Sequence, residues 1–347
     1  MNSDLIFRNK KVRQNRPIIP KDKLYSTFEN NGVFQICFRS RGCSNYLAGS
    51  CIMCDYGLGT NITKEELEYA FDKAISESKQ EIKILLLNTY GSILDTNEIS
   101  EECFYALLEK LKKSNIKRII FETHYNTITE EKLKLIKEKL NDKIICFEFG
   151  FETSNEEIRT NKLLKKINNN KFKEIINLIH SFGMGVIVNL LVGIPFLTTQ
   201  EQLGDALNSI EWCINNDVDE IDLFPINVKP YTLLKELYDS KEYDVISHWL
   251  LVEVLNRIPL KDLSKIYLAW YGNRELEYSD GDHSIFPKSC ELCHDNLMEF
   301  YSQFLSNDDV CYRKSLIDNI IKNSECDCYK KVLTKLKEAS KWIIYIG

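Results

Sequence analysis

Residues 39–57 read Arg39-Ser-Arg-Gly-Cys43-Ser-Asn-Tyr-Leu-Ala-Gly-Ser-Cys51-Ile-Met-Cys54-Asp-Tyr-Gly57. This stretch places three cysteines on one loop, directly after an apolar run at 33–39 that predicts a β-strand. In a parallel α/β fold, active sites are built on the loops that follow the carboxyl ends of strands. The glycines between and beside the cysteines let the backbone fold closely around a bound group.

Three cysteines on one open loop indicate an iron–sulfur cluster. Cys43, Cys51 and Cys54 can ligate three irons of a [4Fe–4S] cubane and leave the fourth iron open. A structural metal site, in contrast, is closed by four ligands. The alternative is a zinc site that recruits Cys37 as its fourth ligand. Cys37 lies inside the predicted strand, where alternation directs it to a packed face, so the cluster is the favoured interpretation.

Short apolar runs alternate with helical stretches over the first two thirds of the chain. Six runs predict strands, at 33–39, 82–88, 118–123, 144–151, 185–191 and 220–225. Helix-capping patterns lie between them, at 63–66, 127–130, 154–157 and 198–201. Because several of the runs are apolar at nearly every position, they favour parallel strands covered on both faces. The sequence therefore predicts an α/β fold, either a partial (β/α)6 barrel or an open doubly wound sheet, and the motifs described below favour the barrel.

Composition places the chain among ordinary globular proteins, with 44% hydrophobic and 28% charged residues. Its longest apolar stretches, such as 186–195, are shorter than the ~20 residues that a membrane span needs. Leu5, Ile6 and Phe7 are followed at once by Arg8, so no signal peptide is predicted and a cytoplasmic protein is expected. The formal net charge of −6 gives no overall attraction to nucleic acid.

We expect three regions: a basic N-terminal arm at 1–30, a barrel at 31–260 and a mostly helical extension at 261–347. The arm carries an excess of Lys and Arg, namely Arg8, Lys10, Lys11, Arg13, Arg16, Lys21 and Lys23. It is either a solvated terminus or a contact to a phosphate backbone.

A second group of cysteines lies near the C-terminus. The chain has 12 cysteines, and clustered cysteines in a reducing compartment indicate metal or redox chemistry. Cys290, Cys293, Cys326 and Cys328 form a possible four-thiolate site for zinc or a second Fe–S cluster. His283 or His294 could replace one thiolate. The alternative is four unconnected reduced thiols.

The cysteine loop resembles that of radical S-adenosylmethionine (SAM) enzymes. Its Arg-Gly-Cys43, glycine-containing insert and Cys51-Ile-Met53-Cys54 are similar to the archaeosine synthase radical SAM subunit and its relatives. The Elongator catalytic subunit family has the same general layout at a greater distance. The spacing of seven residues between the first two cysteines departs from the usual three.

The resemblance extends to the ends of four later strands and implies roles for residues there. The matching segments are Gly91-Ser-Ile-Leu-Asp95, Gly150-Phe-Glu152-Thr-Ser-Asn-Glu-Glu-Ile-Arg159, Asn189-Leu-Leu-Val-Gly193-Ile-Pro195 and Phe224-Pro-Ile-Asn227-Val-Lys229-Pro-Tyr-Thr232. It implies that the cofactor is bound by Met53, Tyr56, Gly91, Ser92, Glu152, Arg159, Asn189 and Gly193. Asn227, Lys229 and Thr232 become candidate substrate contacts, with the first two as catalytic candidates. Glu122 ends the third predicted strand, where a carboxylate could bind a substrate amine or the SAM ribose, and is the third catalytic candidate.

The resemblance also implies a reaction. In the family, a reduced [4Fe–4S] cluster cleaves SAM to a 5′-deoxyadenosyl radical that abstracts a substrate hydrogen. Archaeosine-type relatives cleave a C–N bond of a lysine adduct of a 7-deazaguanine base in tRNA, with a partner transferase. We therefore expect a lyase or oxidoreductase with a ferredoxin- or flavodoxin-type electron donor. The alternatives are a radical SAM enzyme acting on a small molecule or peptide in specialised metabolism, and a non-catalytic zinc protein.

Overall fold

One eight-stranded sheet organises the protein, seen here in a computed structural model that describes residues 2–30, 32–269, 284–324 and 326–337. The strands are β1 (Tyr25–Asn30), β2 (Val33–Phe38), β3 (Ile84–Asn88), β4 (Arg118–Glu122), β5 (Ile144–Glu152), β6 (Gly185–Val192), β7 (Glu220–Pro225) and β8 (Ile266–Leu268). The helices are α1 (Asn2–Arg13), α2 (Ser44–Leu47), α3 (Lys64–Glu77), α4 (Glu101–Lys113), α5 (Glu130–Lys139), α6 (Glu156–Asn161), α7 (Asn169–Ser181), α8 (Thr199–Asn215), α9 (Leu233–Asp239), α10 (His248–Arg257), α11 (Glu291–Ser306), α12 (Val310–Lys322) and α13 (Cys328–Lys337).

The strands follow one another across the sheet in sequence order. β1 pairs with β2 in antiparallel fashion, and the pairs from β2 to β8 are all parallel. The sheet curls into a half barrel, which confirms the predicted α/β fold class. The six predicted strands correspond to β2–β7, and the sheet adds one strand at each edge. No described helix is both long and apolar enough to cross a bilayer.

Side chains alternate between the two faces of the sheet, and β5 shows why this matters for the site. Phe147, Phe149 and Phe151 point outward into the layer of helices and are buried. The ring of Phe151 stacks on Phe172 of α7 and on Trp212 of α8, at centroid distances of 4.8 and 4.7 Å. Burying each such ring contributes roughly 1.5–3 kcal/mol. This outer packing fixes the strand while the residues between the phenylalanines face the concave interior.

The helix starts follow the predicted caps in two cases and depart by a residue or two in the others. Thr63 and Thr198 each form a complete capping box. The pattern at 127–130 predicts Thr127 as the cap, but Thr129 caps α5. Likewise Asn155 caps α6, one residue after the predicted Ser154. In both cases a neighbouring Thr or Asn competes for the same role, and the backbone hydrogen bonds decide between them.

The first and last segments that the structure describes pack on the half barrel. Residues within the predicted N-terminal arm form α1 and the edge strand β1. At the other end, the buried Arg313 of α12 donates to the carbonyl oxygens of Leu263 and Ile266, which fastens the helical extension beside β8. The division into three regions remains a prediction, and His283 lies outside the described residues.

Candidate active site

The three cysteines of the N-terminal loop lie together on the wall of one cavity. The cavity has a volume of about 170 Å³ and opens at the carboxyl ends of the parallel strands. Cys43 and Cys51 are buried and Cys54 is partly exposed. The backbone N–H of Cys51 donates to the carbonyl of Leu164, which ties the loop to the segment after α6. The topology thus delivers the cysteine loop to the position where parallel α/β proteins build active sites.

Arg13 of α1 holds the cysteine loop from outside the barrel. Its guanidinium donates to the carbonyl oxygens of Tyr46, Ser50 and Cys51 at 2.7–2.8 Å, and to that of Cys54 at 3.3 Å. It also stacks on the Tyr46 ring, 3.9 Å from the centroid. Arg13 is only 8% exposed. A buried cation therefore satisfies the polar backbone of the very loop that carries the thiols.

The thiols fit a cluster better than a single ion. Within the described residues, only one group of three or more Cys, His, Asp or Glu side chains brings all its ligand atoms within 4.8 Å of one another. That group lies near the C-terminus. Cys43, Cys51 and Cys54 are therefore more widely spread than one ion requires, as expected for ligands of separate irons. Burial raises the pKa of Cys51 to about 12 and that of Cys54 to about 11. Metal coordination would supply the positive charge that their thiolate forms need here.

Two buried ion pairs stand beside the cysteines. Lys165 and Glu152 approach to 2.7 Å, and both side chains are 11% exposed. Burial alone would lower the pKa of Lys165, but attraction to Glu152 and Cys51 outweighs it and raises the pKa. Lys229 pairs with Asp55 at 3.2 Å, and its pKa is raised in the same way by Asp55 and Cys54. Both lysines therefore remain cationic next to the metal-binding loop.

His124 also lies beside the cysteines. Its Nε2 lies 3.3 Å from the sulfur of Cys43. Burial, followed by repulsion from Lys165, lowers the pKa of His124 to about 4. The imidazole is thus neutral near pH 7, and it can form a hydrogen bond with the Cys43 sulfur without bringing a positive charge to the site.

Carboxylates line the concave interior below the cysteines. Glu122 of β4 stands opposite Glu148 of β5 in the strand register, and Asp222 of β7 pairs in register with Asn189 of β6. A second cavity, of about 240 Å³, is lined by all four residues. Burial is the largest cause that raises the pKa values of Glu122, Glu148 and Asp222. The pKa of Asp222 rises to about 7. The pKa of Glu148 rises well above its usual range, because repulsion from Glu122 adds to the effect of burial.

Several amide oxygens in the same region have no hydrogen-bond donor among the described residues. Asn88 donates its amide N–H to Glu122, and Asn189 donates to Glu148, each at 2.7 Å. The side-chain oxygens of Asn88, Asn189 and Asn227 are buried and unsatisfied. Leaving such an acceptor unpaired costs about 1–3 kcal/mol. The amino and hydroxyl groups of a SAM-like ligand would supply the missing donors, so the residues present fit that cofactor.

The structure brings most of the predicted site residues to this cavity. Besides the three cysteines, those that line it are Met53, Tyr56, Gly91, Glu122, Glu152, Asn189, Asn227 and Lys229. Four others do not reach it. Arg159 is fully buried elsewhere and donates to the Ile167 carbonyl and the Asn169 side chain. The Ser92 hydroxyl bonds to Thr123 and Thr127.

The remaining two support neighbouring backbone. The carbonyl of Gly193 accepts from the Tyr243 hydroxyl, and this glycine has a φ of +98°. Thr232 caps α9 and donates its hydroxyl to the carbonyl of Lys229. These four side chains therefore serve the fold, and the cofactor and substrate roles of the predicted site residues remain predictions.

Sequence reasoning missed Lys165, Arg13, Glu148 and Asp222. The signal for the two acids is visible in hindsight, because each charge interrupts an otherwise apolar strand on the inward-facing side. Lys165 lies in a turn and Arg13 in a basic helix, where nothing in the local pattern marks a buried cation.

Comparison with known proteins identifies the core. Residues 38–207 match the sequence profile of the Radical SAM superfamily. The chain carries a radical SAM domain. Enzymes with this domain use a [4Fe–4S] cluster and SAM, so the chain is an enzyme with those cofactors, and the reading as a non-catalytic zinc protein is wrong.

Among the relatives of this chain, an archaeosine synthase subunit agrees with the predicted resemblance. The chain is 26% identical over 353 residues to the uncharacterized protein MJ0550 of Methanocaldococcus jannaschii, covering 98% of this chain and 93% of that protein. It is 27% identical over 236 residues to archaeosine synthase subunit beta of Methanosarcina acetivorans, covering 65% of this chain and 68% of the relative. Among solved structures, Elp3 of Methanocaldococcus infernus superposes with a TM-score of 0.47 at 13% identity, covering 70% of this chain and 58% of that one.

Proposed function

We propose that this radical SAM enzyme acts on a lysine-modified 7-deazaguanine base in tRNA and cleaves a C–N bond to leave an amidine, the archaeosine-type modification. The observation that carries the proposal is the cavity itself, in which a three-cysteine loop opens onto an interior lined by buried carboxylates. The similarity to archaeosine synthase subunit beta supports the same substrate class.

The cluster and SAM, when bound, supply a carbon radical that abstracts hydrogen. The protein's own residues have three tasks around that chemistry. Cys43, Cys51 and Cys54 hold the cluster. The unsatisfied amide oxygens of Asn189 and Asn227 accept donors from SAM or substrate. The buried cavity excludes water, so that the radical meets only the positioned substrate.

The interior carboxylates favour a substrate with an amino group. A lysine adduct carries an α-ammonium group, whose positive charge complements Glu122, Glu148 and Asp222. In the free enzyme, burial and mutual repulsion make the charged forms of these acids unfavourable, and their pKa values are raised. An ammonium group among them would relieve that repulsion. Glu122 and Lys229 also line the cavity at the cysteines, where they can orient the reacting part of the substrate.

The proposal includes partners in a reducing cytoplasm. A ferredoxin- or flavodoxin-type donor would provide the electron, and a transferase would first attach the lysine to the base. For tRNA, exposed cations at the N-terminal end are available, namely Lys10, Lys11, Lys21 and Lys23. Arg13, in contrast, is turned inward toward the cysteine loop.

The test is an anaerobic assay of the reconstituted full chain with dithionite, SAM and tRNA that carries the lysine adduct. We expect 5′-deoxyadenosine and an amidine-bearing nucleoside, both followed by mass spectrometry after digestion of the tRNA. A C43A/C51A/C54A variant should form neither, and C311S, which changes an exposed thiol on α12, should match the wild type. Product formation from small amine or peptide substrates, with the modified tRNA inert, would instead support the alternative function in specialised metabolism.

A further inference from the structure

The four C-terminal cysteines come together although they lie in two separate segments. Cys290 and Cys293 stand at the start of α11, and Cys326 and Cys328 at the start of α13. All four sulfur atoms lie within 4.8 Å of one another, and those of Cys290 and Cys293 are 3.5 Å apart. We propose that these cysteines bind one zinc ion as a closed, tetrahedral four-thiolate site.

The spacing of the sulfurs selects a single ion. Zinc–thiolate bonds of ~2.3 Å in a tetrahedron place the sulfurs about 3.8 Å apart, close to the spacing found here. A cubane would separate them further, because each sulfur then binds a different iron at a different corner. With the four thiolates occupying every position of the tetrahedron, the site leaves no coordination position open, so its role is structural. Among tetrahedral thiolate sites, the order of metal affinities favours zinc over ferrous iron.

The surroundings suit a negatively charged metal–thiolate group. Cys290 is the N-cap residue of α11 and Cys328 is the first residue of α13, so the positive ends of two helix dipoles meet at the sulfurs. The buried indole Nε1 of Trp249 has no hydrogen-bond partner among the described residues, and the indole lies beside Cys293. An indole N–H beside a thiolate stabilises the negative charge.

The packing of α13 explains what the ion would do. Val332 is its one buried residue, and Tyr329 and Leu336 are partly buried against the core. This apolar contact offsets only part of the conformational entropy of ordering a whole helix. The other ties of α13 include the hydroxyl of Tyr329, which donates to Glu253 of α10 at 2.7 Å, and the Tyr329 ring against Trp249 at 5.2 Å. The zinc ion would fasten α13 to α11 and thereby to the helices that cover the barrel.

His294 is not a ligand in this arrangement. Its Nδ1 is hydrogen-bonded to the Ser289 hydroxyl at 2.7 Å, while four thiols already complete the set. The predicted alternative in which His294 replaces one thiolate is therefore not part of this proposal.

The experiment measures zinc and iron in the anaerobically purified full chain by inductively coupled plasma mass spectrometry. We expect about one zinc per chain. The C43A/C51A/C54A variant should keep the zinc and lose the iron of the catalytic cluster. C326S and C328S should lose zinc and keep that iron, and C311S on α12 should keep both. Cobalt substitution should give the absorption spectrum of a tetrahedral thiolate site.

A structural readout accompanies the metal analysis. Hydrogen exchange in α13 should rise when the zinc is removed from the wild type by a chelator, while exchange in β3–β7 stays unchanged. Iron in the amount of a second [4Fe–4S] cluster, with no zinc, would overturn the proposal. Disulfide bonds among these cysteines in protein alkylated under anaerobic conditions would also overturn it. None of these outcomes depends on the substrate, so the result is independent of the proposed tRNA function.

Discussion

Glu98 is a buried carboxyl group next to the cysteine loop. It accepts hydrogen bonds from the hydroxyls of Ser40 and Thr89 and from the backbone N–H of Ser92, at 2.9–3.0 Å. Burial nevertheless raises its pKa from 4.5 to about 7, so its charged form destabilises the fold. Below pH 4.5 the acid is neutral in both folded and unfolded chains and costs nothing. As the pH rises from 4.5 to about 7, the unfolded chain releases this proton while the folded chain keeps it. The folded state therefore loses about 3 kcal/mol of stability in total.

Glu98→Gln should therefore remove this pH dependence. Relative to the wild type, the variant's free energy of unfolding should increase between pH 5 and pH 8, by about 3 kcal/mol at most. Any loss from the changed hydrogen bonds is the same at every pH and does not affect the slope. Urea unfolding at several pH values measures the difference, with Glu101→Gln, an exposed acid on α4, as the control. Parallel profiles for wild type and E98Q would contradict the prediction.

Gly91 permits the close approach of the loop after β3 to Cys43. A Cβ atom at this position would lie 2.7 Å from Cβ of Cys43 and 2.9 Å from its Cα, and would also contact the Glu98 carboxylate. Gly91→Ala should thus displace Cys43 and reduce the iron bound after reconstitution severalfold. Gly204→Ala is the matched control, because nothing lies within 4 Å of its Cβ and alanine favours the helix by roughly 0.5–1 kcal/mol. Full iron occupancy in G91A would contradict the prediction.

Asp222 tests the charge recognition that the proposed function invokes. Burial, followed by repulsion from Glu220, raises its pKa to about 7, so its negative charge develops as the pH rises through neutrality. The KM for a lysine-bearing substrate should fall between pH 6 and pH 8 as the carboxylate forms. Asp222→Asn should flatten that profile and raise KM at pH 8 by about tenfold or more, the worth of one charged hydrogen bond. Asp72→Asn, an exposed acid on α3, serves as control; an unchanged KM in D222N would exclude this role.

At the scale of elements, α1 acts as a support for the cysteine loop. Arg13 donates to four carbonyls of the loop, and Asn9 donates to the Gly49 carbonyl at 2.9 Å. Arg13→Met should leave several buried carbonyl oxygens without a hydrogen-bond donor. Each unsatisfied oxygen destabilises the loop by about 1–3 kcal/mol unless water replaces the guanidinium. We expect faster iron loss to a chelator and faster hydrogen exchange in 43–54. Arg8→Met changes a half-buried cation of the same helix that pairs with Glu236; equal effects in both variants would mean that helix docking alone is responsible.

The elements that sequence predicts best are those with a strong local pattern. β2–β7 are each rich in Ile, Val, Leu or Phe, and their positions agree with prediction to within about two residues. β1 reads Tyr-Ser-Thr-Phe-Glu-Asn and β8 has three residues, so neither offers a periodic signal, and both exist because an open sheet edge recruits a partner. The N-caps at Thr129 and Asn155 differ from the predicted Thr127 and Ser154. In each case nearby residues offer equivalent side-chain oxygens, and the sequence pattern alone does not choose between them.

At the scale of the whole molecule, the site is predictable where it depends on topology. Parallel strands in sequence order must bring their carboxyl ends to one edge, so Glu122, Asn189 and Asn227 could be placed near the cysteines in advance. Contacts made by loops and terminal segments could not. Lys165 meets Glu152 only because the turn after α6 folds back, and Arg13 meets its carbonyls because α1 packs against the loop. Such pairings depend on side-chain directions and local turns that no periodicity encodes.

The barrel and the cofactor site are also separate in their packing, which leads to a final prediction. The main core lies between the outward face of the sheet and the helices, including Phe121, Phe147 and Val188, whereas the cysteine loop lies at the strand ends. Removing the cluster should therefore leave the fold intact. Comparing anaerobic apo and reconstituted protein by hydrogen exchange, we expect greater exchange in α1 and 43–54 of the apo form and unchanged protection in β3–β7. Loss of protection throughout those strands would show instead that the cluster holds the barrel together, as structural metals do in small domains.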